Sequence, residues 1–421
     1  MEPGKERREA RGGTLVLGGG FAGSYIARLI GKRGCAIVCP ENYMLYTPLL
    51  PEAGAGTLEP RHVVVPLRQM CPHAELFLGR VTALDRKRRV VSADTLAGPL
   101  EIGYEQLVVA VGAVTRTFPV PGLREHGFGF KDLADAIALR NRVLEQLERA
   151  AIQPQATEEL GFVFVGAGYA GVEALAELND FAQAALRFYP SLRDVPQRWV
   201  LVEAAPEILH EIPRRLGEYA ARHLESRGIE IHVGTTLESF YGSEAVLANG
   251  TRIPARTLVW TAGVRANPLL EQLGLPLDDR GRVRIDETLR VEGTEDIWAL
   301  GDCAAVQNAR TPGVTDPPTC QHALRQARCL AKNLTGTPKV YGYRMLGQVA
   351  TLGRYKGIAE LPGGLQLRGF LGWFVARTYH LYQLPLLTRK LRVVVDWTVS
   401  LFFRRDIVEL SALGHPRKLG D

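Results

Sequence analysis

Several features that would place this chain in other protein classes are missing from its sequence. It has six cysteines, none in a CxxC pair or at metal-ligand spacing, so neither a disulfide framework nor a bound metal is predicted. No run of about 18 apolar residues is present, which argues against a membrane-spanning helix. The charged first dozen residues lack the apolar stretch of a secretory signal. We therefore expect free thiols in a reducing cytosol.

The composition is that of an ordinary globular protein, with 46% hydrophobic and 23% charged residues. A length of 421 residues predicts two or three domains. The net charge is +6, and residues 367–421 alone carry nine Arg and Lys against four Asp and Glu. Such a basic segment indicates an anionic partner, either lipid headgroups or nucleic acid, unless it is simply a solvated charged face.

Two glycine-rich turns are the most informative feature present, because each follows an apolar run and precedes a helical pattern. Their glycines are Gly18, Gly20 and Gly23 in the first turn and Gly166, Gly168 and Gly171 in the second. In a GxGxxG turn the first glycine permits the tight turn, the second lets a pyrophosphate approach the backbone, and the third lets helix and strand pack closely. The phosphates then lie at the positive end of the helix. Two such turns predict two dinucleotides and electron transfer between them.

Apolar strands recur after each glycine turn, which indicates two nucleotide-binding units in series. Residues 106–113 read as a buried strand and a small-residue turn that includes Ala110. Residues 258–263 repeat this pattern and end in Gly263. The sequence therefore predicts an α/β fold with two Rossmann-like dinucleotide-binding domains, followed by a C-terminal region of different character.

Acidic residues at strand ends are the candidates for ribose binding, because a carboxylate there accepts hydrogen bonds from the hydroxyls. Glu203 ends the second strand of the second unit and favours NADH over NADPH, since it would repel a 2′-phosphate. The alternative is a surface glutamate at a strand end. In the first unit Cys39 occupies the equivalent position, and Glu41, two residues later, is the candidate for the adenosine ribose.

Four polar residues are candidates for the chemistry itself. Asp302 follows a third apolar strand, where it can cap a helix, contact a cofactor or do both. Glu173 lies in the first turn of the second Rossmann helix, where the helix dipole alone would favour it. Because a pyrophosphate at the same helix end would repel a carboxylate, we expect Glu173 to point toward the other cofactor. Gln321 and Gln326 lie in a helix that follows a Pro-Pro pair, where they can bind a carbonyl ligand or cap the helix.

The C-terminal segments 369–382 and 391–405 interleave aromatic and apolar residues with arginine and lysine. Both are too short and too interrupted to span a bilayer, and this composition suits helices lying in the headgroup region of a membrane. A dimer interface or core helices are the alternatives. No helix-turn-helix pattern or zinc spacing accompanies the basic residues, so a nucleic-acid partner is not predicted.

Taken together, these motifs resemble the type II NADH dehydrogenases, which are single-subunit flavoprotein NADH:quinone oxidoreductases with two dinucleotide-binding domains. The resemblance covers nearly the whole chain. The matching stretches are residues 18–23, 42–50, 166–173, 259–264, 300–302, 321–326 and 390–408.

The resemblance implies a FAD-dependent enzyme that oxidises NADH and passes the electrons to a membrane quinone. FAD would bind at the first glycine turn and NADH, the co-substrate, at the second. The resemblance implies that Asp302 contacts the ribityl or pyrophosphate part of FAD and that Thr47 and Pro48 lie near the isoalloxazine. Glu173 would assist proton movement. Gln321 and Gln326 would form the quinone site.

The resemblance also implies a domain plan and a location. Residues 1–117 and 275–340 would form the FAD domain, 118–274 the NADH domain, and 341–421 a membrane-interacting region. The protein would be a homodimer bound peripherally to the cytoplasmic face of the cell membrane.

Two alternatives remain open at this point. Cys320 stands beside Gln321, and this thiol is compatible with a sulfide:quinone oxidoreductase-like flavoprotein. Sulfide oxidation, however, needs two or more cysteines near the flavin. Only Cys303 could accompany Cys320 there. A non-enzymatic redox sensor would need a nucleic-acid-reading element, and no such pattern is present. A disulfide reductase is disfavoured because no CxxxxC follows the first glycine turn.

Overall fold

The computed structural model describes residues 6–153 and 155–409. Residues 1–5, Pro154 and residues 410–421 lie outside the described part. They include the first five of the dozen N-terminal residues and the last two of the nine Arg and Lys residues in 367–421. Residue contacts divide the chain into two compact units: residues 1–45, 64–114 and 264–345 form the first, and residues 46–63, 115–263 and 346–421 form the second.

The first unit contains an eight-stranded sheet with a parallel centre. The parallel strands follow the order Ala74–Asp85, Cys35–Cys39, Thr14–Leu17, Gln106–Val109 and Ile297–Ala299. Beyond Ala74–Asp85 the sheet continues with Val90–Thr95, Gly98–Gly103 and Glu6–Glu9. Four of the central strands are buried almost throughout, as expected for a parallel sheet covered on both faces.

The remaining elements of the first unit surround this sheet. Tyr43–Leu45 pairs with Val64–Pro66 as a separate antiparallel ribbon. The helices are Phe21–Ile30, Leu67–Met70, Leu269–Gln272 and Cys320–Asn333. Short strands Ala113–Thr115 and Val264–Ala266 lie next to the unit boundaries in the chain.

The second unit repeats the parallel arrangement with five strands. Their order is Gly127–Phe128, Thr257–Trp260, Gly161–Val165, Arg198–Glu203 and Ile229–Val233. Two antiparallel three-stranded sheets accompany it, formed by Leu237–Phe240, Glu244–Leu247 and Arg252–Pro254, and by Gln348–Thr351, Gly357–Glu360 and Gln366–Arg368. The helices are Leu50–Gly54, Leu123–His126, Leu133–Ile152, Tyr169–Leu186, Arg214–Glu225, Gly369–Gln383 and Leu387–Phe402. The predicted fold of two Rossmann-like domains is confirmed.

Two helices of the second unit show how local sequence sets their limits. Apolar periodicity predicts a helix over residues 132–150, and the structure has Leu133–Ile152, begun by a capping box between Asp132 and Asp135. The long interval before Glu203 predicts an inserted helix and a Pro-containing loop over residues 181–196. That stretch contains a 3-10 turn, Pro190–Leu192, but residues 181–186 do not form a helix of their own. Instead, Tyr169–Leu186 is one continuous helix, because no Gly or Pro interrupts it after its first turn and its buried stripe continues to Ala185.

The C-terminal segments predicted at 369–382 and 391–405 form the helices Gly369–Gln383 and Leu387–Phe402, with Pro385 between them. None of the helices in the described ranges combines the length and the apolar character needed to cross a membrane.

Candidate functional site

The two glycine turns have the same backbone geometry. Gly18 and Gly166 have φ values of +103° and +104°, a region that side chains disfavour. A Cβ on Gly23 would overlap the carbonyl oxygen of Gly18, and a Cβ on Gly171 would overlap that of Gly166. The first and third glycines of each turn are therefore required by the fold itself.

The second glycine of each turn faces open space instead. A Cβ on Gly20 or on Gly168 would meet no described atom within 4 Å. Each of these glycines is the N-cap of its Rossmann helix, and neither cap includes a side-chain hydrogen bond within the described residues. An open, uncapped helix end with a glycine at its entrance fits a pyrophosphate group, so both turns fit a dinucleotide.

The strands that follow the turns contribute small residues beside them. Ala110 is buried, and its carbonyl oxygen lies where a Cβ on Gly18 would stand. Gly263 follows Thr257–Trp260 with a φ of +89°. The small-residue turns predicted at these positions are thus present in the structure.

Glu203 lies at the end of Arg198–Glu203 and binds the glycine turn of its own unit. Its Oε2 accepts a 2.6 Å hydrogen bond from the backbone N–H of Ala167, and its Oε1 accepts one of 2.9 Å from Ala205. The carboxylate therefore positions the backbone between Gly166 and Gly168, a contact that the sequence did not suggest.

In the first unit, Cys39 is buried at the end of Cys35–Cys39, and its thiol donates to the carbonyl oxygen of Glu41 at 2.9 Å. Burial raises the pKa of Cys39 to about 12, so the thiol is neutral. The Glu41 side chain is exposed. A ribose contact of Glu41 stays a prediction.

Glu173 is buried and points toward the strand Gln348–Thr351. Its Oε1 accepts hydrogen bonds from the backbone N–H and the hydroxyl of Thr351, at 2.8 and 3.1 Å. Burial raises the pKa of Glu173 to about 8, and the nearby charges of Glu177 and Glu52 act in the same direction. At neutral pH this side chain is mainly a protonated acid.

Thr47 and Pro48 form a 3-10 turn, Thr47–Leu49, that leads into the helix Leu50–Gly54 of the second unit. Thr47 is exposed and Pro48 is half-buried. Their predicted proximity to an isoalloxazine remains a prediction.

Gln326 is buried in the helix Cys320–Asn333, and both ends of its amide are engaged. Its Oε1 accepts from the backbone N–H of Gly301 at 2.8 Å, and its Nε2 donates to Oδ2 of Asp316 at 2.9 Å. Gly301, with a φ of +75°, directly precedes Asp302. Gln326 therefore holds the loop that presents Asp302.

A pocket of the first unit contains several of these groups. Asp302 and Gln326 line it together with His322, Arg280 and Arg282. His322 contacts the Thr319 hydroxyl through Nδ1 at 2.8 Å and Asp316 through Nε2 at 3.5 Å. Burial lowers the pKa of His322, and the Asp316 charge opposes that effect.

Gln321 lies in the first turn of the same helix but is less buried than Gln326. Its Oε1 accepts a 3.1 Å hydrogen bond from the hydroxyl of Tyr343. The helix is capped by the Thr319 side chain, which accepts from the backbone N–H of His322. Gln321 is therefore not the residue that caps this helix.

Comparisons with known proteins agree with this geometry. The family model of the pyridine nucleotide-disulphide oxidoreductases matches residues 13–327. A probable NADH dehydrogenase of Dictyostelium discoideum is 31% identical over 426 residues, covering 95% of this chain and 93% of that protein. The type II NADH:quinone oxidoreductase of Mycobacterium tuberculosis is 29% identical over 413 residues, 93% of this chain and 88% of that protein.

The chain belongs to the type II NADH dehydrogenases. The solved structure of NDH2 from Plasmodium falciparum in complex with NADH has the same fold, with a TM-score of 0.87. The two share 18% sequence identity, and the match covers 96% of this chain and all of that one.

The thiols of this NADH dehydrogenase do not favour the sulfide:quinone alternative. Burial raises the pKa of Cys303 to about 12 and that of Cys320 to about 11, so both are neutral thiols. Cys303 donates to the backbone carbonyls of Val109 and Leu300. Sulfide is itself a nucleophile that attacks a disulfide, and Cys303 and Cys320 are both free cysteines.

Several site residues of the dehydrogenase were not found from the sequence. Thr351 lies 178 positions along the chain from Glu173. Asp316 lies only ten positions before Gln326. No local pattern marks either residue. Thr319 carried a usable signal, because a threonine directly before a helix is a common N-cap.

Proposed function

We propose that this chain oxidises NADH and reduces a quinone, with FAD bound at the first glycine turn and NADH at the second. The observation that carries this proposal is the pair of matching glycine turns, each open at its second glycine. Bound FAD would supply the hydride acceptor and then the two-electron donor. The chain itself binds and orients the nucleotides and provides a proton.

The named residues have separate tasks in this proposal. In the first unit, Gly301 and Asp302 hold the FAD side of the site, and Gln326 fixes their loop. In the second unit, Glu203 positions the glycine turn that accepts the NADH pyrophosphate. Glu203 also selects a ribose without a 2′-phosphate. Glu173, protonated at neutral pH, donates a proton during quinone reduction.

A spectroscopic experiment tests the reaction. Purified protein should carry a yellow flavin that bleaches anaerobically with NADH and recovers its colour on addition of a quinone. A protein that binds no flavin, or whose reduced flavin does not react with quinone, would contradict the proposal. A much weaker bleaching by NADPH at equal concentration is expected from the charge of Glu203.

The quinone site is proposed at Gln321, whose amide lies at the start of the helix Cys320–Asn333. A Gln321→Leu variant should reduce quinone at least about tenfold more slowly, since one hydrogen bond to the transition state is lost. Bleaching by NADH should be unchanged. Gln183→Leu, an exposed glutamine in the other unit, is the matched control. Loss of both half-reactions in Gln321→Leu would contradict this assignment.

We also propose that the C-terminal helices bind the cytoplasmic face of the membrane peripherally. Their exposed apolar side chains include Phe370, Leu371, Phe374, Leu387, Leu391, Val395 and Phe402. Arg392 and Arg404 are exposed in the same segment, where anionic headgroups would attract them.

Point substitutions test membrane binding without disturbing the buried face of these helices. Phe374→Ser with Leu391→Ser should release the protein from vesicles containing anionic lipid, while NADH bleaching is retained. Leu96→Ser, an exposed leucine of the first unit, is the control. If vesicle binding were unchanged and the variant instead became monomeric, the exposed side chains would belong to a homodimer interface.

A further inference from the structure

Three buried carboxylates lie together in the second unit. Glu173 and Glu177 are one turn apart on the helix Tyr169–Leu186, and Glu52 is in the helix Leu50–Gly54 that packs against it. Their exposed fractions are 8% for Glu173, 1% for Glu177 and 3% for Glu52. Three negative charges cannot be buried together without compensation.

Two buried arginines of the C-terminal segment compensate two of these acids. Arg377 forms an ion pair with Glu52, with Nη2 to Oε2 at 2.8 Å. Its guanidinium lies 4.3 Å from the ring centre of Trp373 and 4.7 Å from that of Trp397, and Trp397 also donates to Glu52. These contacts of the guanidinium with two indole rings hold the pair in one geometry.

The second pair lies beside Glu173 on the same helix. Arg405 donates from Nη2 to Oε2 of Glu177 at 2.8 Å and from Nη1 to the Glu177 carbonyl oxygen at 3.0 Å. Its side chain is only 6% exposed. Arg405 is thus the cation beside Glu177, and its side chain is withdrawn from solvent.

Glu173 is the remaining acid. Its contacts come from Thr351, whose groups are neutral, and no cation touches it within the described ranges. The other titratable side chains of this helix are Tyr169 and Asp180, and Asp180 is paired with Arg227. Arg140 of the helix Leu133–Ile152 lies over the ring of Phe181. Burial raises the pKa of Glu173, as described above, and burial also raises that of Glu52, where the Arg377 charge opposes the rise.

We propose that Arg377 and Arg405 are positioning residues for Glu173: by neutralising Glu52 and Glu177, they leave Glu173 as the one carboxyl of the cluster that takes up and releases a proton. This inference rests on the proposed role of Glu173 in quinone reduction. Quinone becomes quinol by taking two electrons and two protons. NADH gives the two electrons and one proton, Glu173 gives the second proton, and water then reprotonates Glu173.

The inference predicts shifts of opposite sign when the charges are removed. Arg377→Gln leaves more negative charge near Glu173 and should raise the pH at which quinone reduction falls, by about one unit. Glu52→Gln leaves more positive charge and should lower that pH by a similar amount. The double variant should restore the original profile, which a purely structural contribution of either residue would not do.

The test uses the full-length protein with two measurements. The first is the pH profile of quinone reduction by enzyme already bleached with NADH. The second is an infrared titration of the protonated carboxyl band in protein that has not been given NADH or quinone, with Glu173→Gln identifying the band. Arg198→Gln, which removes a charge from the more exposed Arg198–Glu230 pair, is the control and should leave both measurements unchanged.

Each outcome bears on a different part of the proposal. If Arg377→Gln and Glu52→Gln shift the infrared titration in the same direction, or not at all, the inference about the arginines is wrong. If Arg377→Gln does not fold, Glu177→Gln provides the test, because it should lower the titration as Glu52→Gln does. If Glu173→Gln reduces quinone at the normal rate, the role of Glu173 in the reaction is wrong, and the infrared shifts still decide the role of the arginines.

Discussion

The carboxylate of Glu203 and the backbone N–H of Ala167 are joined by a hydrogen bond of 2.6 Å across 36 positions of the chain. Ala167 lies inside the second glycine turn, between Gly166 and Gly168. Glu203, which we propose selects the ribose, therefore also positions the second glycine turn, which we propose binds the pyrophosphate. Substituting Glu203 should affect both properties.

Glu203→Ala should lower the free energy of unfolding by about 1–3 kcal/mol, because the N–H groups of Ala167 and Ala205 lose their acceptor. It should also reduce the preference for NADH over NADPH. Urea denaturation and the ratio of kcat/KM for the two nucleotides measure these effects. Glu203→Gln retains one of the two acceptor oxygens and turns its amide NH2 toward the other backbone N–H, so it should recover only part of the stability and none of the nucleotide preference. Equal selectivity in all three proteins would contradict the ribose role.

Two alanine substitutions in the second turn should separate folding from binding. Gly171→Ala places a methyl group against the Gly166 carbonyl oxygen, so it should give little folded protein. Gly168→Ala meets no described atom and should change the free energy of unfolding by less than about 1 kcal/mol. It should nevertheless raise the KM for NADH, because the methyl group occupies the approach of the pyrophosphate. Thermal melting and steady-state kinetics distinguish the two; a normal KM in Gly168→Ala would argue against nucleotide binding at this turn.

Gln326→Leu should weaken flavin retention. The substitution leaves the N–H of Gly301 and the carboxylate of Asp316 each without one partner, at a cost of about 2–4 kcal/mol. The loop carrying Asp302 is then less well held. The flavin-to-protein ratio after gel filtration and the unfolding midpoint are the measurements, with the exposed Gln183→Leu as control. Full flavin content together with wild-type stability in Gln326→Leu would contradict the positioning role.

The stability of the protein should depend on the ionisation of Glu173. Its pKa is about 8 in the folded state and near 4.5 in the unfolded chain, so the folded state binds the proton more tightly. The contribution is therefore fully present below about pH 4.5 and is lost as the pH rises toward 8, at up to about 1.4 kcal/mol per pH unit. Urea denaturation between pH 5.5 and 7.5 should show a shallower decline in Glu173→Gln than in the parent. Identical slopes would indicate that Glu173 is ionised in the folded protein.

Local features of the fold could be predicted because their causes are local. A backbone φ near +100° requires glycine at Gly18 and Gly166. The close approach of helix and strand requires glycine at Gly23 and Gly171. These four residues therefore identify both turns from the sequence. Apolar strands and the 3.6-residue periodicity of Leu133–Ile152 were readable for the same reason. The sequence does not predict the uninterrupted length of Tyr169–Leu186, because the long interval before Glu203 favours a separate inserted helix within 181–196.

The candidate site was only partly predictable. The sequence marked Glu203 and Glu173 by their places in Rossmann units, but their partners Ala167 and Thr351 depend on how distant segments pack. The same holds for Gln326, whose position in the helix gave no indication that it binds the N–H of Gly301.

By itself, then, the sequence determined the two dinucleotide turns, the parallel strands that carry them and the class of reaction that they serve. The tertiary structure alone decided which of the three buried carboxyls has a cation beside it. Glu52 and Arg377 are 325 positions apart, and Arg405 lies 228 positions from Glu177. Desolvation and Coulomb energies depend on distances in space, so only packing gives two acids a cation and leaves Glu173 without one.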